Sequence, residues 1–245
     1  MSNNVKHFKN TGVTLNNYKE KKMQLFNMTI DGKSVSSNQT FGVINPALGE
    51  PFAECALGDS ETVDLAVAAA KRAFPAWSQL SDECRVDKMH ALVGLLEANM
   101  AEIMGLITQE NGKPLNGFCG IGSGMEVGGS MAWIQATSCF SMPMQVIQDN
   151  DEARIELHRK PLGVVASITP WNWPLLIAIW HIIPALKSGN TVVIKPSPLT
   201  PVATMRFVEL ANTVLPPGVL NLVTGGAEVG NAISMHPDIN KIVFT

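Results

Sequence analysis

Four short runs of apolar residues recur through the last third of the chain, at 164–169, 191–195, 220–224 and 241–244. Each run starts roughly 20 to 30 residues after the one before it, which leaves room for a helical crossover between parallel strands. Pro174 can open the first crossover helix, because a proline in the first turn costs no intrahelical hydrogen bond. The pattern predicts an α/β fold with an open, doubly wound, Rossmann-like parallel sheet, whose ligands bind at the carboxyl ends of the strands.

In the first half of the chain, the apolar residues recur at other spacings. Apolar and polar residues alternate over 25–44 around Asp31-Gly32, which predicts a β-hairpin with its turn at that dipeptide. Helical spacing predicts one helix that begins at residue 59 and ends at Pro75, and a second that runs over 81–109 with one apolar face. These elements would form an N-terminal hairpin and helical layer beside the sheet.

The segment 145–158 has the pattern of an exposed β-arm, with a polar turn between two short alternating runs. Such a ribbon is marginally stable alone, so we expect a partner subunit to stabilise it. The first 22 residues contain five lysines and one histidine without the apolar segment of a signal peptide, and we expect a flexible tail over 1–22.

Composition narrows the classes of partner. With 46% hydrophobic and 16% charged residues the chain is predicted to be globular, and a net charge of -3 gives no general attraction to nucleic acid or anionic lipid. The most apolar run, 173–183, is too short to cross a bilayer. The four cysteines form no CxxC pair, so we expect four buried thiols in a reducing, cytoplasmic setting and no metal site.

Candidate chemistry follows the ends of the predicted strands. The first strand runs into Ile168-Thr169-Pro170-Trp171-Asn172-Trp173-Pro174, where two prolines hold the amide of Asn172 at the sheet rim. The second ends in Lys195-Pro196-Ser197-Pro198, whose lysine and hydroxyl could reach a ribose or phosphate, although a lysine at a strand end is more often simply solvated. After the third strand, Gly226 and Gly230 lie where a helix start packs closely or meets a ligand.

A longer set of motifs appears in a fixed order. The segments are Asn45-Pro46 with Gly49-Glu50, Gly163-Val164-Val165, Thr169-Pro170-Trp171-Asn172-Trp173-Pro174-Leu175, Pro184-Ala185-Leu186, Gly189-Asn190-Thr191, Lys195-Pro196-Ser197, Pro217-Gly218-Val219-Leu220-Asn221 and Phe244-Thr245. Together they resemble the aldehyde dehydrogenase superfamily over about residues 25–245. The resemblance implies an incomplete aldehyde dehydrogenase fold, with domains at 1–22 (tail), 23–144 (helical part of the cofactor-binding domain), 145–158 (oligomerisation arm) and 159–245 (Rossmann-like core).

The resemblance also implies the oxidation of an aldehyde to an acid with NAD or NADP as cofactor, in a homo-oligomer when full length. Asn172 matches the family's oxyanion-stabilising asparagine. The positions that match cofactor contacts are Ile168, Thr169, Pro170, Trp171, Lys195, Ser197, Pro198, Gly226, Gly230, Phe244 and Thr245. Many NAD-preferring members have a glutamate where this chain has Pro198, so the choice between NAD and NADP stays open and we expect NADP to be better tolerated here.

Besides Pro198, the chain departs from the family pattern at the catalytic nucleophile. The family's catalytic cysteine and water-activating glutamate lie farther along than Thr245, and none of the four cysteines matches that role. One hypothesis is therefore a truncated aldehyde dehydrogenase that is inactive alone. The alternative is a non-catalytic fragment that binds a dinucleotide or pairs with a full-length subunit; aggregation of the isolated chain would favour the first, and a stable monomer or complex the second.

Overall fold

The computed structural model describes residues 23–245, so the predicted tail over 1–22 lies outside the described residues. The strands are β1 (Gln24–Phe26), β2 (Met28–Ile30), β3 (Lys33–Val35), β4 (Thr40–Asn45), β5 (Glu50–Ala56), β6 (Gln145–Asp149), β7 (Arg154–Leu157), β8 (Val164–Ile168), β9 (Thr191–Lys195), β10 (Leu220–Leu222) and β11 (Lys241–Phe244). The helices are α1 (Ser60–Ser78), α2 (Asp82–Ala98), α3 (Met100–Asn111), α4 (Ser123–Ser138), α5 (Pro174–Lys187), α6 (Val202–Ala211) and α7 (Ala227–Met235).

The main sheet has six strands in the order β11-β8-β9-β10-β2-β3. The four predicted strands β8 to β11 are present and pair in parallel. From β8 the chain steps through β9 to β10 in one direction, and then returns to the other side of β8 with β11. The strand order therefore reverses between β8 and β11, which is where open α/β sheets bind their ligands.

Side chains of the parallel strands alternate between two cores. Val165 and Val192 lie in one core with helices α5 and α6, whereas Val164 and Val193 lie in a second core with α1 and α7. Helices thus cover both faces of the sheet, which explains why these strands are apolar throughout rather than alternating. The prediction of a doubly wound sheet is confirmed.

The predicted hairpin at Asp31-Gly32 is present, but it is shorter than expected. Asp31 and Gly32 both have positive φ angles of 54° and 71°, and they join the antiparallel strands β2 and β3. Strands β1 and β4 instead pair with β5 in a separate three-stranded sheet. The prediction of one hairpin over 25–44 was wrong because pairing with a later strand, β5, decided the register.

Helix α1 starts with a capping box at Asp59, as expected, but it continues through Pro75 to Ser78. The prediction that it ends at Pro75 was wrong. Trp77, in the last turn, is 1% exposed and donates from Nε1 to the carbonyl of Leu186 at 3.1 Å. Burial of a whole indole stabilises by about 2–3 kcal/mol, which offsets much of the roughly 3 kcal/mol that an internal proline costs.

The predicted helix over 81–109 is two helices, α2 and α3, bent by 73°. Asn99 marks the break: its side-chain amide donates to the carbonyl of Leu95 at 2.8 Å and competes with the backbone. The apolar stripe stays buried across the bend because both helices face the same core. No single helix within residues 23–245 is long and apolar enough to cross a membrane; only this bent pair reaches that length and composition together.

The predicted β-arm is present as a two-stranded antiparallel sheet of β6 and β7, apart from both other sheets.

The burial of the cysteines differs from expectation. Cys55 is buried, and burial raises the pKa of its thiol to about 12. Cys84, Cys119 and Cys139 are exposed free thiols at helix ends and in a turn, so the prediction of four buried thiols was wrong.

A buried side-chain carboxyl group caps helix α6. Glu110 at the end of α3 is 3% exposed, and its two oxygens accept from the amides of Val202 at 2.6 Å and Ala203 at 3.2 Å. Burial raises the pKa of this carboxyl to about 8, because desolvation outweighs the two amide donors that favour the charged form.

This raised pKa gives a pH dependence to stability. Between the ordinary pKa of about 4.5 and the folded value of about 8, the folded state holds more protons at Glu110 than the unfolded state. Stability from this group is therefore complete below pH 4.5 and decreases as the pH rises, with a slope of at most about 1.4 kcal/mol per pH unit. Glu110→Gln should remove that slope in urea unfolding measured between pH 5 and 8. Glu97→Gln, at an exposed site, is the control, and equal slopes for wild type and Glu110→Gln would contradict the assignment.

Candidate active site and dinucleotide cleft

The turn between β8 and α5 presents Asn172 at the carboxyl edge of the sheet. Pro174 forms the first residue of α5, as predicted. The carbonyl of Trp171 accepts from Asn111 Nδ2 at 2.8 Å and from Thr200 Oγ1 at 3.2 Å. Asn172 itself is exposed to solvent, next to a peptide group that these two hydrogen bonds hold.

A cleft of 540 Å³ lies at the same edge of the sheet, at the reversal of strand order. It is lined by Ile168, Lys195, Pro198, Gly226, Ala227, Gly230, Asn231, Ser234, Ile242 and Phe244. Its size is typical of small-molecule sites. Six residues that the sequence singled out for a cofactor therefore come together in one cleft.

Lys195 supplies the cleft with a nearly buried cation. It is 6% exposed, and its Nζ donates to the carbonyls of Pro196 at 3.1 Å and Gly225 at 3.2 Å. Burial lowers the pKa of its ammonium group. Because an ammonium group has three donors, one remains for a ligand. No side chain caps the nearby N-terminus of α7, so its first backbone amides are free to donate hydrogen bonds to an anion.

The other sequence-predicted residues lie around this cleft rather than in its lining. Thr169 is buried, and its hydroxyl is one of three buried polar side-chain atoms without a hydrogen-bond partner among the described residues. Ser197 is buried too and accepts from the amide of Leu199 at 3.3 Å. Thr169 follows Ile168, which lines the cleft, so its unpartnered hydroxyl leaves a hydrogen bond open at this edge of the sheet.

Pro170, Trp171 and Thr245 complete the set. Pro170 is half-buried and Trp171 is 57% exposed, on the turn that carries Asn172. The Thr245 hydroxyl lies 2.9 Å from Nε2 of His181, whose own burial lowers the pKa of the imidazole. These three residues therefore border the Asn172 turn and the end of β11, not the cleft.

A larger cleft of 740 Å³ lies between α2, α5 and the base of the β-arm, and His181, the partner of Thr245, is part of its lining. Its lining includes none of the predicted site residues. Two of its cationic side chains are already engaged, since Lys187 pairs with Asp82 and Arg85 donates to the carbonyls of Leu80 and Lys187. We therefore assign the candidate site to the smaller cleft.

Two glycines that the sequence did not single out shape the cleft. Gly225 has a φ of 142°, and a Cβ there would lie 2.4 Å from Cγ2 of Val229. Gly58 approaches the same turn so closely that a Cβ would lie 2.6 Å from the carbonyl oxygen of Thr224. Gly226, by contrast, lines the cleft and has open space around its Cβ position, which excludes close packing and leaves the other predicted role, contact with a ligand. The Gly-Gly pair was visible in the sequence, but not which member was constrained.

Comparisons with known proteins decide the family. A sequence model described as "Aldehyde dehydrogenase family" matches residues 33–245. The chain belongs to the aldehyde dehydrogenase family. Phenylacetaldehyde dehydrogenase of Pseudomonas fluorescens is 40% identical over 235 residues, a match that covers 89% of this chain and 45% of that enzyme.

Solved structures of the family superpose on the chain. PnpE from Pseudomonas sp. WBC-3 is 38% identical with a TM-score of 0.84, over 91% of this chain and 46% of that one. Aldehyde dehydrogenase C of Pseudomonas syringae, in a complex with NAD⁺ and octanal, is 36% identical with a TM-score of 0.81, over 89% and 45%. The chain therefore spans a little under half the length of the relatives it matches.

The two adjacent glycines give a matched test. Gly225→Ala should lower the free energy of unfolding by about 1–3 kcal/mol, because alanine is strained at that φ and meets Val229. It should also weaken NAD binding, since the Gly225 carbonyl holds Lys195. Gly226→Ala should change stability by less than about 0.5 kcal/mol. Urea unfolding and calorimetric titration with NAD measure both; equal losses in the two variants would contradict the assigned roles.

Proposed function

We propose that this aldehyde dehydrogenase chain forms the cofactor-binding half of an enzyme that oxidises an aldehyde to a carboxylic acid with NAD or NADP. The observation that carries the proposal is the exposed Asn172 on a fixed turn, at the sheet edge that also holds the cleft. Addition of a nucleophile to an aldehyde turns its carbonyl oxygen into an oxyanion. An amide donor already in place for that oxyanion lowers the barrier by about 3–4 kcal/mol.

The cleft suits the cofactor. Lys195 would donate to ribose hydroxyls or phosphates of a bound dinucleotide, and the amides at the start of α7 would donate to its phosphates. Ile168 and Phe244 give the cleft apolar walls. Bound there, a nicotinamide dinucleotide supplies the hydride acceptor for the oxidation. The complex of the P. syringae relative with NAD⁺ and octanal supports both the cofactor and the substrate class.

The remaining groups of the reaction belong to a part of the fold that this chain does not match. By the family resemblance, the nucleophilic cysteine and the water-activating glutamate would lie in the part of the relatives that this chain does not cover. The isolated chain is therefore expected to bind a dinucleotide without oxidising aldehydes.

The β-arm supports a homo-oligomer for the active form. Val146, Ile147, Ile155 and Leu157 are exposed on its two strands, with 43–64% of each residue accessible. Both strands have an open edge, and such edges are normally covered by another chain. A second subunit would bury these residues and supply the missing pairing.

The decisive experiment uses an active form. Residues 1–245 are joined to the part of the P. fluorescens phenylacetaldehyde dehydrogenase that lies beyond its match, and the resulting chimaera is assayed for aldehyde-dependent formation of NADH or NADPH. Asn172→Ala should lower kcat about 100- to 1000-fold, because one oxyanion donor is lost. The NAD dissociation constant should change less than about twofold, since the donor does not line the cleft. A chimaera without activity, or an unchanged kcat in Asn172→Ala, would contradict the proposed function.

Cofactor choice depends on Pro198. Pro198→Glu places a carboxylate in the cleft that repels a 2′-phosphate, so the ratio of the NADP to the NAD dissociation constant should rise at least about tenfold. Pro198→Gln, of the same size without charge, is the control and should change the ratio little. In the unsubstituted chimaera NADP should be accepted, and a kcat/KM preference for NAD above about a thousandfold would contradict this role of Pro198.

A further inference from the structure

We propose that Lys113 and Glu126 are positioning residues that hold the turn of Asn172, so that its amide meets the oxyanion. The inference deepens the proposed function and rests on it. It starts from a salt bridge that joins the end of α3 to α4, directly beneath the turn. Neither residue was singled out by the sequence motifs.

Lys113 makes three contacts from one nitrogen. Its Nζ lies 2.6 Å from Oε2 of Glu126 and 3.9 Å from the centroid of the Trp173 ring, and it donates to the backbone carbonyl of Asn172. Its side chain is 14% exposed. A cation shielded in this way binds a carboxylate, a ring face and a carbonyl more strongly than it would in water. The ammonium group thus fixes the peptide plane that follows Asn172.

Glu126 ties the same turn to the helix that follows it. Its side chain is fully buried, and Oε1 accepts from the amides of Leu175 at 2.9 Å and Leu176 at 3.2 Å. Helix α5 has no side-chain cap of its own, because Trp173 occupies the N-cap position. One carboxylate therefore caps α5 with one oxygen and holds Lys113 with the other.

The turn is then held on both sides of Asn172. Asn111 and Thr200 fix the carbonyl before it, and Lys113 fixes its own carbonyl. Rotation of the peptide that Lys113 holds would swing the Asn172 side chain. Since a misplacement of about 1 Å at a reacting group can cost about 100-fold in rate, this contact bears on catalysis and not only on folding.

The geometric part of the proposal is tested in the 245-residue chain itself. Its five tryptophans are labelled with 5-fluorotryptophan, and the ¹⁹F resonances are assigned by Trp→Phe variants. Lys113→Met should shift the resonances of Trp171 and Trp173, which flank Asn172, and leave that of the buried Trp77 in place. Unshifted Trp171 and Trp173, or a shift of Trp77 as large as theirs, would overturn the proposal, since the pair would then be idle or merely structural.

Matched variants separate this pair from ion pairs in general. Lys71 and Asp238 form a surface salt bridge of the same length, 2.6 Å, with both side chains more than 40% exposed. Lys71→Met should therefore move neither Trp171 nor Trp173. Glu126→Gln keeps an oxygen for the start of α5 but loses the charge that holds Lys113, and should reproduce the shifts of Lys113→Met. A different pattern in Glu126→Gln would count against the coupling of the two residues.

The kinetic part uses the chimaera defined above. Lys113→Met should lower kcat tenfold or more, with the aldehyde KM and the NAD dissociation constant within twofold, and Lys113→Arg should restore part of kcat. An unchanged kcat, or a loss confined to KM, would overturn the positioning role. If Asn172→Ala has no effect on kcat, the proposed function fails, while the fluorine spectra still decide whether Lys113 holds the turn.

Discussion

Two buried side-chain carboxyl groups, those of Glu110 and Glu126, fix the edge of the sheet on which the candidate site is built. Each accepts from two amides at the start of a helix that follows a parallel strand. Neither α5 nor α6 has a side-chain cap of its own, and buried amides without partners cost about 1–3 kcal/mol each. Glu110 lies on α3 and Glu126 lies on α4, so these N-terminal helices determine where the crossover helices α5 and α6 begin.

This dependence explains why the helical layer belongs to the site although it contributes no residue to the cleft. The end of α3 carries Asn111 close to Glu110, and the loop after it carries Lys113. All three act on backbone groups of the segments after β8 and β9. A change in the angle between α3 and α4 would therefore move the Asn172 turn without altering the sheet itself.

Strand β8 connects the two parts of the candidate site. Its last residue, Ile168, lines the cleft, and Asn172 follows within the same turn. The strand pairs with β9 on one side and β11 on the other, which places the reversal of strand order beside it. Because both neighbours are parallel to β8, their carboxyl ends meet at one edge, which the cleft and the Asn172 turn share.

The sequence by itself determined the parallel strands, their crossovers and the residues that we propose for the chemistry. Strands buried on both faces must be apolar throughout, and Pro174 and Asp59 mark helix starts by local chemistry alone, so these features are legible without a structure. Motif resemblance then identified Asn172 and most of the cleft. Only the tertiary structure decided the pairing of β1 with β5, the passage of α1 through Pro75 and the capping of α5 by Glu126, 49 residues away. Those features depend on contacts between distant segments, and such contacts leave no periodic trace in the chain.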